Sequence, residues 1–151
     1  MDWFVRAFLK ASLVWFALGV VLGLAMAIDP PLAVYRTAHL HINLLGFVGQ
    51  MLYGVSLHVV PRFFGHPLVY RRLAAVQFWL AQPGLALLAG GFALRVVGAT
   101  GAGSMIITGA VLSAMAAGCY IVNVWATITA SSTKPLSHGK PVPLAHQPQA
   151  D

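Results

Sequence analysis

Between Arg36 and Arg62 the chain carries no Lys, Arg, Asp or Glu, yet it holds His39, His41 and His58. A run this long and this apolar is sufficient to cross a bilayer as a helix. Imidazoles at membrane depth are expensive, and by default they mark a functional site. The stretch 35–61, YRTAHLHINLLGFVGQMLYGVSLHVVP, therefore constrains everything else, because the remaining chain must form the bundle that holds it.

The rest of the sequence suits that task. Only 8% of the 151 residues are charged and 59% are hydrophobic. A soluble domain carries roughly 25% charged residues, so the deficit indicates a lipid-embedded chain and a single domain. Residues 1–10, MDWFVRAFLK, are amphipathic: Trp3, Phe4 and Phe8 suit the interface, and Arg6 and Lys10 can snorkel to headgroups. Spans are expected at about 11–28, 38–60, 73–94 and 104–130. The first exceeds the short core of a secretory signal, although Ala25-Met26-Ala27 resembles a cleavage site. Asp29-Pro30-Pro31 ends it, since proline cannot continue a helix.

Small residues mark expected close contacts. Gly19 and Gly23 form a G-x-x-x-G step that lets another helix approach, and Gly109, Ser113 and Ala117 repeat every fourth position. Pro83-Gly84 predicts a kink in the third span. Residues 96–103 read as a Gly-rich turn. The tail 131–151 contains Pro135, Pro141, Pro143 and Pro148 and is expected to be extended or disordered, with His138 and His146 merely solvated. The fold class is all-α, an integral membrane four-helix bundle over residues 1–130.

The net charge of +6 does not imply nucleic acid, because the basic residues form no stripe. They act as topology signals. Arg6, Lys10, Arg62, Arg71, Arg72, Lys134 and Lys140 fall in three of the exposed segments, against Arg36 and Arg95 in the other two. The positive-inside rule then puts both termini, and the tail, in the cytoplasm of a bacterial inner membrane. His39 and His41 lie near the outer face, with His58 and His66 near the inner one. The lone Cys119 sits in an apolar run and offers no disulfide framework.

His39 and His41 are two residues apart, about 200° around a helix. They point to nearly opposite sides and cannot share a metal from a regular helix. His41 and His58 are separated by about 25 Å along the axis, so any metal at His58 is a second site. Three roles for His39 and His41 compete. They are interfacial polar residues, axial ligands of a haem iron, or part of a small copper or zinc site. Asn43, one turn on, can bond a histidine's second nitrogen.

Arg36-x-x-His39, and more closely His41-x-Asn43-Leu44-Leu45 followed by Gly54 and Pro61, resemble the second transmembrane helix of subunit I in the haem–copper oxidase superfamily. The nearest resemblance is to the nitric oxide reductase large subunit and the C-family oxidases. Trp79 also suits the pattern. The likeness is specific over 35–61 and loose over about 10–100. It implies that a histidine near the outer end of this helix is an axial ligand of a low-spin b haem; the Asn-Leu-Leu run and the distant proline favour His41, and the arginine favours His39. The family's enzymes have at least twelve spans, three histidines for the copper or iron partner and a second low-spin ligand on a late helix. This chain has none of these, so it is not a complete oxidase or reductase, and no catalytic residue is assigned.

The expected function is binding of haem b, for electron transfer or for a diatomic gas. The alternatives are copper or zinc handling, and a cofactor-free accessory or assembly subunit of a respiratory complex. One histidine-bearing helix supplies one ligand, so a homo-oligomer in the lipid bilayer is expected, together with a respiratory or cytochrome partner. The topology is tested by reporter fusions at Asp151 and beside Arg36. These should report opposite sides, with Asp151 cytoplasmic; a periplasmic signal at Asp151 would invert the placement of every histidine.

Overall fold

The computed structural model describes residues 1–132, and all regular structure among them is helical. The tail expected at 131–151 lies outside the described residues, apart from its first two, which continue the last helix. His138 and His146 lie outside them as well. Four helical segments are long and apolar enough to cross a membrane: Trp3–Ile28, Pro30–Phe63, Arg71–Val96 and Ala102–Ala130.

Helix α1 is Trp3–Ile28. Its 26 residues span about 39 Å. The amphipathic start is thus the beginning of a spanning helix and not a separate interfacial piece. Phe4 and Phe8, expected at the interface, are in the core, with only 2% and 0% of their surface exposed. The reason is an aromatic chain across the bundle. The Phe8 ring meets Phe78 at 5.1 Å and Tyr53 at 5.6 Å, and Tyr53 meets Tyr120 at 4.8 Å. Edge-on ring pairs of this kind add to the area that they bury.

Asp29 leaves α1 in extended geometry, and Pro30 and Pro31 open a single 3-10 segment, Pro30–Tyr35. Proline fits there because the first turn of a helix has no use for its missing N–H. The second span then runs through α2 (Arg36–His41), a π-helical stretch (Ile42–Gly49) and α3 (Gln50–Phe63). Helix α4 is Arg71–Val96 and α5 is Ala102–Ser132. The turn between them places Gly98 and Gly101 at φ of +68° and +87°, a region that L side chains avoid.

Helix α4 continues without a break through Pro83 and Gly84. The small residues here join helices. A Cβ on Gly109 would lie 2.4 Å from the Leu88 nitrogen and 2.7 Å from the Gly84 carbonyl oxygen. One on Gly84 would lie 2.9 Å from the Ser113 nitrogen, and one on Gly91 2.9 Å from that of Ile106. Backbone touches backbone along an antiparallel α4–α5 seam, as the Gly109/Ser113 stripe predicts.

Polar groups tie the layers together. Asn123 and Thr127 of α5 are fully buried. Asn123 accepts the Tyr70 N–H at 3.2 Å and donates to the Tyr70 carbonyl at 3.0 Å. The Thr127 hydroxyl oxygen accepts from the Val69 N–H at 3.4 Å. The α3–α4 loop thereby meets its backbone requirement inside the protein, as a segment at the membrane edge must. Across the middle, Trp15 Nε1 donates to Gln82 at 3.2 Å, and Gln82 donates to the buried Gln50 at 2.9 Å.

Gly109→Leu should be severe, since a backbone neighbour cannot rotate away. The expected loss is about 3 kcal/mol or more. Gly103→Leu, where nothing lies within 4 Å of the new Cβ, should change stability by no more than about 0.5 kcal/mol. Thermal melts followed by circular dichroism in detergent compare the two.

Candidate functional site: two imidazoles on opposite sides of one helix

His39 turns toward α1. A Cβ on Gly23 would lie 2.9 Å from its Cε1, and a Cβ on Gly19 would lie 2.6 Å from Asn43 Oδ1. The G-x-x-x-G step therefore accepts two side chains, where the sequence predicted close approach of a helix. Both pairs are four residues apart on their helices, and the order is antiparallel. Gly46 and Gly54 continue the same seam, filled by Trp15 and by Leu9 and Phe8 of α1. Asn43 Nδ2 lies 3.3 Å from both ring nitrogens of His39 and donates to the His39 carbonyl at 2.9 Å. Asn43 is thus the neighbour of His39 and not of His41.

His41 turns the other way. Its ring stacks on Phe92 of α4, with centroids 4.8 Å apart and planes at 27°. Its Nδ1 is 2.8 Å from the Thr37 carbonyl oxygen. A carbonyl only accepts, so Nδ1 carries a hydrogen, and in the neutral ring Nε2 then keeps its lone pair. This is the second-shell arrangement that orients a metal-binding imidazole and raises its basicity. Nε2 has no hydrogen bond. The two histidines point apart, as two-residue spacing on a helix requires. Phe92 and the glycine receivers escaped sequence reading. The glycine pairing alone had a signal, the matching four-residue steps.

The backbone changes immediately after His41, where Ile42–Gly49 is π-helical. Stretches with i→i+5 bonding are rare and concentrate at functional positions. Below the His41–Phe92 stack, a cleft of about 300 Å³ lies between the second span, α4 and α5. Leu45 and Leu88, each about a turn below those two rings, line it, and so do Ala110, Ala114 and Ala117 of α5.

His58 lies far along the second span. Its Nδ1 is 2.8 Å from Arg62 Nη1, which also donates to the His58 carbonyl at 2.7 Å. A guanidinium against an imidazole nitrogen occupies the lone pair that a metal would use. Among the described residues no three of His, Cys, Asp and Glu come together in a way that could hold a metal ion.

A family model described as Cytochrome C and Quinol oxidase polypeptide I matches residues 4–145. The chain belongs to this family. The match covers all four spans, and it places the His41 motif within a haem–copper oxidase subunit I sequence. No curated protein and no solved structure matches the chain. In this family member, His39 and Asn43 are packed against α1, and of the His39/His41 pair it is His41 that has a nitrogen with no hydrogen bond.

Filling the receiver tests the first half of that statement. In Gly23→Val the His39 ring must leave α1, at an expected cost of about 1–2 kcal/mol. Histidine side-chain NMR should show the His39 signals displaced and those of His41 unmoved.

Proposed function

We propose that the chain is a membrane haem-binding protein of the subunit I family, with His41 as an axial ligand of a b-type haem. The observation that carries this reading is the Nδ1 contact to the Thr37 carbonyl, which leaves Nε2 as a lone-pair donor. A haem asks little else of the protein, because the porphyrin supplies four of the iron's ligands and the protein only one or two. That matches a chain in which no three ligating side chains converge among the described residues. Copper or zinc would need ligands from beyond the described residues. His39 is the weaker candidate, since both of its nitrogens face the same Asn43 amide.

The second axial position falls to a second copy of the chain, or it stays open to a diatomic gas. The surface beside His41 supports either arrangement, because Leu40, Leu44 and Val48 are exposed and apolar. A bound haem would supply one-electron chemistry or gas binding. The chain's own part is to aim the imidazole, exclude water with the Phe92 stack, and hold the ring against apolar walls. The location that goes with this reading is a bacterial inner membrane, and the distribution of Lys and Arg supports an orientation with both termini cytoplasmic and His41 toward the outer face. A respiratory or cytochrome partner would meet it there.

Purified His41→Ala should retain less than about a tenth of the wild-type haem per chain, as expected for loss of an axial ligand worth a tenfold or larger change in affinity. His39→Ala and His58→Ala should keep their haem with little spectral change. Full haem in His41→Ala would remove the axial assignment. Sedimentation of wild type and His41→Ala shows whether haem joins two copies.

A further inference from the structure

The end of the bundle remote from His41 holds a second polar concavity. A cavity of about 440 Å³ opens beside the start of α1, with Asp2, His58, Arg62, His66 and Arg71 on its walls. Asp2 does not cap α1 with its side chain; it pairs with Arg71 instead. No side chain caps the start of this 26-residue helix, and Met1, Asp2 and Val5 from that start line the cavity. Arg62 is held at the rim by its bonds to His58. His66 directs Nδ1 to the Pro67 carbonyl at 2.9 Å, and its Nε2 is buried with no partner.

A second groove, of about 650 Å³, adjoins the first, with Leu68 and Arg71 lining both. Arg71 and Arg72 stand at its mouth, and Leu73, Val76 and Val122 line the part that extends along α4 and α5. The two adjoining hollows thus combine three arginines with an open apolar groove lined by residues of α4 and α5. Among the described residues that line the two hollows there are three arginines, Arg62, Arg71 and Arg72, and one carboxylate, Asp2, which is already paired with Arg71. A zwitterionic headgroup would find no unpaired carboxylate among these residues for its ammonium, whereas an anionic one meets a net positive charge. Basic pockets at helix ends recognise anionic headgroups in this way.

We infer that this end of the bundle binds one anionic phospholipid, with its phosphate at Arg71, Arg72 and the start of α1 and one acyl chain along Val76 and Val122. The orphaned Nε2 of His66 would accept from a headgroup hydroxyl. The inference does not depend on haem.

The test uses the full chain purified in detergent and supplied in turn with phosphatidylglycerol, phosphatidylcholine and inorganic phosphate. Melting temperature and lipid retained by native mass spectrometry are read together. Phosphatidylglycerol should raise the melting temperature above that in phosphatidylcholine and remain at about one per chain, while phosphate alone gives no rise. The double variant R71Q/R72Q should lower phosphatidylglycerol retention about tenfold or more. Arg36→Gln at the opposite end should leave it unchanged. If the double variant does not fold, His66→Ala carries the same expectation of reduced retention. Equal effects of the two lipids on wild type, an unchanged preference in the variants, or a rise with phosphate alone equal to that with phosphatidylglycerol would overturn the inference.

Discussion

The bundle depends on side-chain gaps left by small residues. Between helices in lipid there is little hydrophobic drive, so association rests on close packing and internal hydrogen bonds. Two antiparallel seams provide it. Along one, Gly84, Gly91 and Gly109 bring the α4 and α5 backbones into direct contact. Along the other, Gly19 and Gly23 of α1 receive Asn43 and His39, and Gly46 and Gly54 receive Trp15 and Leu9 in return. Each seam fixes a register, and the second register decides which histidine is enclosed. Once His39 lies in α1, the geometry of a helix turns His41 toward α4 and Phe92.

Buried polar groups act on the same frame. The Trp15–Gln82–Gln50 thread joins α1, α4 and α3 at mid-depth, and the Asn123 bracket holds the loop before α4. Such bonds specify a unique packing where apolar contacts alone would tolerate sliding. The thread does not serve every buried amide: Gln77 is fully buried, with neither side-chain polar atom bonded to the protein. The His41 imidazole thus hangs on a scaffold fixed from both sides.

Much of this was legible in the sequence, for definite physical reasons. Four apolar runs separated by Asp29-Pro30-Pro31, Arg71-Arg72 and glycine turns announce four spans, because each break removes a helix bond or adds a charge that lipid excludes. The Gly109/Ser113 stripe foretold the α4–α5 seam, and the spacing of His39 and His41 foretold their divergence. Other features were hidden. Phe4 and Phe8 beside Arg6 and Lys10 carry the same pattern whether they face headgroups or a core. The π-helical stretch leaves no periodic trace, since Ile42–Gly49 uses residues that an α-helix also accepts. Asn43 lies two residues from His41 and four from His39, and only the helix geometry shows that it serves the latter.

His41, with its free Nε2 and its ring fixed by a backbone carbonyl and an aromatic stack, is the proposed holder of iron in this chain of the subunit I family. The most direct measurement is the optical and electron paramagnetic resonance spectrum of the wild-type protein purified from haem-replete membranes, with iron and porphyrin determined per chain. The account predicts a Soret band and an imidazole-ligated ferric signal, low-spin if two chains share the haem and high-spin if one position is open. A folded, colourless protein with no bound porphyrin would contradict it.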